Sequence, residues 1–448
     1  MLRPAPKRWR SQLRKLRFLI TREQYLKNNA SAPRGFYGWR VVHAAFVMAV
    51  FGWGLGFYGP PVFLAVIHET RGWTLALISA AISVHFAAGA ITGGNLPALH
   101  RRYGIPRVSK AGACAMAAGM VTWGAAGEPW QLFIAATLSG TGWGTMSAAA
   151  LNAVVSPWFN RGRPMALGMA YNGGSVGGII FSPLWVAAIH GLGFPLATSL
   201  IAGVMLVTLW VLAEQVFSRT PAMMGVGPDG GPLHVPPEAV ALAPPLPGAR
   251  LWRDRRFVTL CLGMMFGLFA QIGLIAHLYS LLVPALGARD AGWAMGLVTL
   301  MAIVGRTMLG WLMPAGADRR LVACAGYAMQ IAGSIALMLA AGTHVPLLLA
   351  GVMLFGLGFG NATSLPPLIA QVEFAAQDVQ RAAALVVAIA QGGYAIAPAF
   401  FGVIREFTVA SSTGIAAGSA PAVFATAAVV QCLAVIAFLA GRRGVSHP

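Results

Sequence analysis

Apolar segments of about 20 residues recur along the whole chain, and short polar or glycine- and proline-containing breaks separate them. A helix needs about 20 apolar residues to cross the roughly 30 Å hydrocarbon core of a bilayer. The pattern therefore predicts twelve membrane-spanning helices, numbered here span 1 to span 12. Their expected limits are 41–67, 74–98, 108–126, 131–156, 165–189, 194–216, 257–283, 291–313, 321–340, 345–369, 382–404 and 421–440.

One stretch without this pattern divides the spans into two sets of six. Residues 217–256 contain eight prolines, with charged residues towards both ends, which is typical of a linker rather than a packed domain. We therefore expect an all-α polytopic membrane protein with twelve transmembrane helices in two six-helix bundles. The expected parts are a basic N-terminal tail (1–40), a first bundle (41–216), the linker (217–256), a second bundle (257–440) and a C-terminal tail (441–448).

The composition agrees with a membrane protein. Hydrophobic residues make up 57% of the 448 residues and charged residues only 10%, whereas soluble domains carry about 25% charged residues. The net charge of +19 would suit a nucleic-acid partner, but the lysines and arginines lie between apolar spans rather than on one patch. The expected surroundings are a lipid bilayer, with no nucleic acid.

The loop charges predict the topology. Outside Arg306, which lies within span 8, only Arg71, Arg289 and Arg405 fall on the side opposite the N-terminus. Because cytoplasmic loops are enriched in Lys and Arg, both termini should be cytoplasmic, and the expected location is a bacterial inner (plasma) membrane. The basic residues 1–34 lack the apolar core of a secretory signal. We expect a tail lying on anionic lipid; a transit peptide and an over-long start are the alternatives.

Arg306 is the residue whose chemistry most needs an explanation. Its guanidinium cannot lose its proton, so inside an apolar span it must face protein or a water-filled cavity. One hypothesis is that it binds an anionic substrate partway across the membrane. The alternative is that it anchors a helix end by reaching the interface or pairing with Asp318. All acidic residues fall in loops or at span ends, so a cationic substrate would lack a counter-charge within the spans.

Other polar groups inside the spans are few. In addition to Arg306, the candidate substrate-binding residues are Tyr58, Asn172, Gln271, His277, Asn361, Gln391 and Tyr394. His85 and His277 are candidate proton relays because histidine titrates near neutral pH. An aromatic side chain in a span more often packs than binds, and a membrane amide bonds a neighbouring helix as readily as a ligand.

Two loop stretches carry a family resemblance. Residues 94–107, GNLPALHRRYGIPR, resemble the signature between helices 2 and 3 of the major facilitator superfamily, and residues 305–320 resemble its second copy. The resemblance implies gating roles, with Arg–Asp pairs latching helix ends. The residues concerned are Gly94, Arg101, Arg102 and Gly104 in the first copy, and Gly310, Asp318 and Arg319 in the second. In the first copy Arg101, or His100 if the register shifts by one residue, occupies the position where the family usually has an aspartate.

A second resemblance is narrower. Residues 156–163, SPWFNRGR, and the glycine-rich run 173–178 are similar to the monocarboxylate-porter and oxalate/formate-exchanger branch of that superfamily. In monocarboxylate porters an arginine of helix 8 binds the substrate carboxylate, and Arg306 matches it. The aspartate that couples protons one turn earlier is replaced by Ala302, so that role does not carry over.

The expected function is secondary active transport of a small organic anion, a mono- or dicarboxylate, by alternating access, with the carboxylate held by Arg306. A co-transported proton is a candidate partner. The alternatives are an efflux transporter for amphipathic compounds and a solute sensor that does not transport. An enzyme is not expected, because the sequence has neither a metal-binding motif nor a nucleophile constellation, and no cofactor is implied.

Overall fold

The computed structural model describes residues 35–232, 248–313, 317–362, 365–411 and 420–442. Within these ranges the regular structure is helical, and no β-strand occurs. Eight helical stretches of the described chain are long and apolar enough to cross a membrane by length and composition. The remaining predicted spans are shorter, broken or less apolar helices, or are joined end to end with a neighbour.

The first six spans form the N-terminal half. Their helices are Gly38–Gly56 with Gly59–Arg71 (span 1), Leu75–Tyr103 (span 2), Ile105–Ala125 (span 3), Pro129–Gly144 with Ala148–Val155 (span 4), Arg163–Leu192 (span 5) and Phe194–Leu212 (span 6). A π-helical turn, Ala213–Phe217, prolongs span 6. Span 1 is broken near Gly59: the prolines that follow it occupy the first turn of a new helix, where no amide donor is needed.

The last six spans form the C-terminal half, after a short linker helix, Gly248–Leu251. Spans 7 and 8 are the two arms of Arg255–Leu312, which leaves helical geometry at Gly287 (φ 76°). A positive φ of this kind favours glycine, which has no Cβ. The other helices are Arg319–Leu339 (span 9), Val345–Phe359 with Leu365–Glu373 (span 10), Ala376–Ala395 with Ala397–Ser411 (span 11) and Pro421–Ala440 (span 12).

Span 5 packs on span 1 through its glycine-rich run. A Cβ on Gly173 would stand 2.2 Å from the carbonyl oxygen of Phe46, and one on Gly177 would stand 2.5 Å from that of Val50. Only glycine permits such close backbone approach between helices in a membrane. The run therefore serves helix packing and not nucleotide binding, as its place inside an apolar span predicts.

The two halves meet at one end of the molecule. We call this end the distal face, where span 1 stops at Arg71 and span 2 starts at Leu75; the opposite end is the linker face. Three polar contacts join the halves along span 2, at positions i, i+3 and i+7. They are Ala76 N to Glu406 Oε2 (2.9 Å), Ser79 Oγ to His277 Nε2 (3.5 Å) and Ala399 N to Ser83 Oγ (2.9 Å).

Spans 5 and 8 make the second contact between the halves. The ideal Cβ positions of Gly292 and Gly296 lie within 4 Å of Pro183. The hydrogen bonds and ring contacts seen between the halves lie distally or midway along the spans. The helices at the linker ends of spans 4 and 10, Ala148–Val155 and Leu365–Glu373, pack mainly within their own halves. The halves are therefore joined at the distal face and separate at the linker face.

Candidate functional site

Span 10 is broken where the sequence predicted one continuous helix. It stops at Phe359 and restarts at Leu365, so the last carbonyl groups of the first segment lack the donors of a continuing α-helix, and only a long turn bond from Ala362 N reaches Phe359 O (3.4 Å). Three side chains from three other spans supply those donors. They are Gln330 Nε2 to the carbonyl of Gly358 (3.1 Å), Gln271 Nε2 to that of Phe359 (3.4 Å) and Arg306 Nε to that of Gly360 (3.0 Å). Such satisfaction is required because a membrane interior offers no water to exposed backbone groups.

Arg306 is held by one of its nitrogens. Its Nε donates to Gly360, and in the described chain neither terminal Nη group has a hydrogen-bond partner and no carboxylate oxygen lies within 4.0 Å. A cation beside the C-terminal carbonyls of a helix is electrostatically favourable. The guanidinium is therefore oriented by the protein while its planar fork remains available to an anion.

The helical phase of span 8 indicates where Arg306 points. Gly292, Gly296, Thr299 and Arg306 share one face, because they are separated by three, four or seven residues. The first two lie against span 5, so Arg306 continues the stripe that faces the N-terminal half. It lies about 10 Å below Thr299 along the helix, towards the linker face, where the halves have separated.

Asn172 lies on the matching stripe of span 5. It is seven residues before Ile179, which approaches Gly296, and eleven before Pro183. Its side chain is exposed. Asn172 and Arg306 therefore lie on facing stripes of the two helices, on either side of the opening between the halves.

Tyr58 closes this opening from above. It lies in the break of span 1, is 4% exposed, and its hydroxyl is within hydrogen-bonding reach of Thr299 on span 8. A Cβ on Gly178 would stand 2.5 Å from the Tyr58 ring and 2.7 Å from the Thr299 hydroxyl, so the glycine makes room for this contact between the halves.

The remaining amide and tyrosine candidates divide into two groups. Gln391 is within hydrogen-bonding reach of Tyr394, one turn along span 11, and the Tyr394 ring lies 5.9 Å from that of Phe86 in the other half. Gln271 is buried and bonded to Gln330 (3.0 Å) and to the end of span 10. Asn361, also buried, lies in the break itself. These contacts place Gln391 and Tyr394 beside the opening and Gln271 in the wall behind it.

The two candidate proton-relay histidines have different surroundings. His85 has both ring nitrogens bonded, Nε2 to the carbonyl of Gly56 (2.9 Å) and Nδ1 to the hydroxyl of Ser139 (2.8 Å). Since a carbonyl only accepts, Nε2 carries the proton, and His85 satisfies the broken end of span 1. His277 Nε2 contacts Pro398 O (3.2 Å) and Ser79, while its Nδ1 has no partner among the described residues.

The first loop motif makes no ion pair within the described chain. Gly104 (φ 80°) forms the tight turn from span 2 to span 3, and Gly94, Arg101 and Arg102 are exposed. Arg102 lies over the ring of its neighbour Tyr103, 5.2 Å from its centre. Without a carboxylate at position 101, no Arg–Asp latch exists there.

The second motif ties helices of the C-terminal half to one another. Asp318 caps span 9 by accepting from the amides of Arg320 and Leu321, and it pairs with Arg442 beyond span 12 (Oδ2 to Nε, 2.7 Å) rather than with Arg306. Partial burial raises the pKa of the Asp318 carboxyl, but the hydrogen bonds from Arg442 and the two amides outweigh it, so the pKa lies below its usual value. Arg319 donates to the carbonyl of Leu368, and Gly310 lies in the last turn of span 8.

Sequence reasoning missed three residues of this region. Arg320 is 1% exposed and forms a two-point ion pair with Glu373 of span 10 (2.6 and 2.8 Å). Its place on the buried stripe of span 9, with Tyr327 and Gln330, is the signal that distinguishes it from its exposed neighbour. Gln330 is a buried membrane amide that the sequence displays, whereas Thr299 carries no sequence signal.

The fold and the site define a class of protein. Two six-helix bundles meet at one end and part at the other, broken helices meet midway along the spans, and an oriented cation lies on the side of span 8 that faces the N-terminal half. This is the architecture of a secondary membrane carrier.

Comparison with known proteins gives the family. The chain matches the Major Facilitator Superfamily over residues 111–398 and belongs to it. Members of this superfamily are transporters and not enzymes, so the predicted fold class, the family resemblance and the expectation of no enzymatic activity are confirmed.

The relatives are distant. Monocarboxylate transporter 11 of Mus musculus is 29% identical over 301 residues, which cover 64% of this chain and 62% of that protein, less than two thirds of its length. The MFS transporter asaE of Aspergillus flavus is 25% identical over 363 residues, 77% of this chain and 75% of that protein. These relatives come from an animal and a fungus, so they do not point to a bacterial membrane.

Solved structures show the same fold. The nucleoside transporter NupG superposes with a TM-score of 0.66 at 13% identity, covering 90% of this chain and 98% of that one. A bacterial homologue of the human lysosomal transporter Spinster, in an inward-facing and unoccupied conformation, gives a TM-score of 0.66 at 14% identity, covering 91% and 98%. At these identities the likeness concerns the fold alone.

Proposed function

We propose that this protein moves a small organic anion across the membrane by alternating access, and that Arg306 holds the carboxylate of the substrate. The observation that carries the proposal is the guanidinium bound at Nε by Gly360, with neither Nη group bonded in the described chain. A carboxylate fits the two parallel donors of that fork. The similarity to a protein named as a monocarboxylate transporter supports the same substrate class.

The surrounding groups suit this role. Asn172 faces Arg306 across the opening, and Tyr58, Gln391 and Tyr394 line its upper end, where they can donate hydrogen bonds to the substrate. Gln271 contributes by fixing the end of span 10, to which Arg306 is attached, and Asn361 lies buried in the same break. Gln271 therefore acts on the substrate indirectly, through Arg306.

Alternating access gives the contacts between the halves a function. The positive loops predict that the linker face is cytoplasmic, so this conformation admits substrate from the cytoplasm. Return to the other side requires the three polar contacts along span 2 to separate as the linker face closes. A co-transported proton needs a titratable group, and His277, at one of these contacts and with a free Nδ1 in the described chain, is the candidate.

The test is uptake of radiolabelled carboxylates into proteoliposomes by the wild type, Arg306→Ala and Arg306→Lys. Uptake should be lost in the alanine variant. It should fall by at least tenfold in the lysine variant, because lysine keeps the charge without the planar fork. Arg289→Ala is the matched control, since that arginine is exposed at the distal turn, and its uptake should stay normal. Undiminished uptake by a monodisperse Arg306→Ala protein would remove the arginine from the mechanism.

A further inference from the structure

Five aromatic side chains meet midway between the two halves. This aromatic cluster consists of Phe57, Phe86, Trp143, Phe359 and Tyr394, from spans 1, 2, 4, 10 and 11. Ring centres are 6.1 Å apart for Phe57 and Phe86 and 5.3 Å apart for Phe86 and Trp143. Two contacts cross between the halves, Phe57 with Phe359 at 6.4 Å and Phe86 with Tyr394 at 5.9 Å.

The cluster adjoins the residue that holds the cation. Phe359 directly precedes Gly360, whose carbonyl accepts from Arg306 Nε. Phe57 directly precedes Tyr58, whose hydroxyl reaches Thr299, two turns from Arg306 on the same face of span 8. Adjacent Cα atoms are about 3.8 Å apart, so the cluster begins one residue from the group that holds the guanidinium. An anion bound at Arg306 therefore presents the rest of its body to this cluster.

The charges limit the substrate to one carboxylate. Arg320 is paired with Glu373 at the linker end of span 9, so its charge is already balanced. Arg405 donates to the Ser280 hydroxyl beside the distal contacts, eleven residues along span 11 from Tyr394 and therefore roughly 16 Å from the aromatic cluster. Neither guanidinium lies where it could pair with a second carboxylate of an anion bound at Arg306. A second carboxylate on the substrate would lie unpaired among aromatic rings, which is unfavourable.

The contacts across the halves also favour a flat apolar body. In alternating access the pairs Phe57–Phe359 and Phe86–Tyr394 must separate, which exposes ring faces and edges that were buried together. A substrate ring placed between them restores edge-to-face and offset contacts that an aliphatic group of the same area cannot match. An occupied site then keeps these surfaces covered during the transition.

We propose that the transported anion is an aromatic monocarboxylate, with its carboxylate on Arg306 and its ring in the aromatic cluster. The inference rests on the proposed anion transport and narrows its substrate. It assigns Phe57, Phe86 and Phe359 to specificity, whereas Arg306 serves the charge common to all carboxylates. Trp143 and Tyr394 complete the walls of the ring site.

The experiment measures binding to the purified full-length protein by isothermal titration with four probes: acetate, cyclohexylacetate, phenylacetate and phenylsuccinate. Phenylacetate should bind at least tenfold more tightly than acetate, about two- to tenfold more tightly than cyclohexylacetate, and at least tenfold more tightly than the doubly charged phenylsuccinate. Phe57→Leu and Phe359→Leu, which keep the sites apolar, should each lower the affinity for phenylacetate several-fold and leave that for acetate unchanged. Arg306→Ala should abolish binding of all four probes.

The outcomes separate the two proposals. Equal affinity for acetate and phenylacetate, with Arg306→Ala still inactive, would overturn the aromatic specificity and leave anion binding intact. Equal affinity for cyclohexylacetate and phenylacetate would overturn it as well, because the site would then recognise apolar area without ring geometry. Tight binding of phenylsuccinate would overturn the limit to one charge. Binding of phenylacetate that survives Arg306→Ala would instead contradict the proposed function.

Discussion

The fourth helix of each half is broken, and the two breaks are satisfied in different ways. In span 4 the carbonyls of Gly142, Trp143 and Gly144 accept from the amides of the next residues, Thr145, Met146 and Ser147, so the turn bonds to itself. In span 10 the carbonyls of the corresponding residues accept from Gln330, Gln271 and Arg306, which belong to spans 9, 7 and 8. The break in span 4 is stabilised by backbone bonds within its own turn and involves no charge. The break in span 10 is stabilised by side chains from three other helices, one of which is a cation.

Elsewhere the halves resemble each other closely. Their third and sixth spans are joined by an ion pair, Lys110 with Glu214 in the N-terminal half and Asp318 with Arg442 in the C-terminal half. The polarity of the pair is reversed, but its place is the same. Features shared by the halves therefore belong to the scaffold, and the break of span 10 is where the halves diverge.

The divergence shows how substrate binding could reach the rest of the bundle. An anion bound to Arg306 neutralises a group that also holds the end of span 10. The turn in span 4 bonds only to itself, so no charged side chain there links a bound anion to the helix end. The C-terminal half thus supplies the charge and the coupling. The N-terminal half supplies Tyr58, Asn172 and most of the aromatic rings.

The largest effect is expected from Gly360→Ala. Its Cβ would stand 2.1 Å from the carbonyl oxygen of Ala302 on span 8, and backbone on both sides leaves little room to yield. We expect a loss of about 1–3 kcal/mol of stability, typical of overpacking, together with loss of anion binding, because the acceptor that orients Arg306 must move. Thermal unfolding in detergent and calorimetric titration with phenylacetate measure the two effects.

The matched variant in the other half is Gly144→Ala. Its Cβ would stand 2.7 Å from the carbonyl oxygen of Gly89, so a comparable loss of stability is expected. Phenylacetate binding should weaken at most several-fold, through the neighbouring Trp143, because the acceptor of Arg306 is untouched. Gly203→Ala, on an open face of span 6, controls for the substitution itself and should leave both quantities unchanged. Loss of binding in Gly144→Ala to the same degree as in Gly360→Ala would contradict the assignment of coupling to the C-terminal half.

The effect expected next, from Gln330→Leu, is a loss of stability of the same order, without displacement of the acceptor of Arg306. The change leaves the carbonyl of Gly358 and one donor bond of Gln271 unmade in a buried place, which costs about 1–3 kcal/mol. Its counterpart in span 4 is Thr145→Val, where the carbonyl of Gly142 keeps its amide donor, so a change within about 0.5 kcal/mol is expected. The shifts in melting temperature of the two variants, measured in the same detergent, test this difference. Equal shifts would contradict it, because they would show that side chains contribute equally to the hydrogen bonds of both breaks.

The scaffold could be predicted from the sequence because it depends on local composition. Apolar runs of sufficient length and a proline-rich gap predict twelve spans and a linker, and a single arginine in an apolar run is conspicuous at position 306. The breaks are different. The segments at the breaks, residues 144–147 and 360–364, contain no proline, and both spans were expected to be continuous because length and average hydropathy defined them. Span 10 did carry a signal: Pro366 and Pro367 occupy the first turn of Leu365–Glu373, as Pro60 and Pro61 do in span 1.

The hydrogen-bond partners at the end of span 10 could not be predicted from the sequence. Gln271 and Gln330 reach span 10 across 88 and 28 residues of chain, and such pairing is fixed only by packing. The sequence singled out Gln271 as a ligand for substrate, while the structure attaches it to the wall. Arg319 and Arg320 look equivalent in the sequence, although helical phase buries the second against Glu373 and leaves the first nearer the surface.

The smallest effect concerns the ion pairs that the halves share. Asp318→Asn and Glu214→Gln should each cost at most about 1 kcal/mol, because the side chains of both pairs are partly exposed to solvent. The pKa of Asp318 is depressed in the folded protein, so its contribution is present above the ordinary aspartate value of about 4 and is lost as the pH falls through the lower folded pKa. The difference in melting temperature between wild type and Asp318→Asn should therefore be constant from pH 7 to about 4 and shrink below that. A difference that instead disappears between pH 7 and 5 would mean that the pair with Arg442 and the amide caps do not stabilise the charged carboxylate.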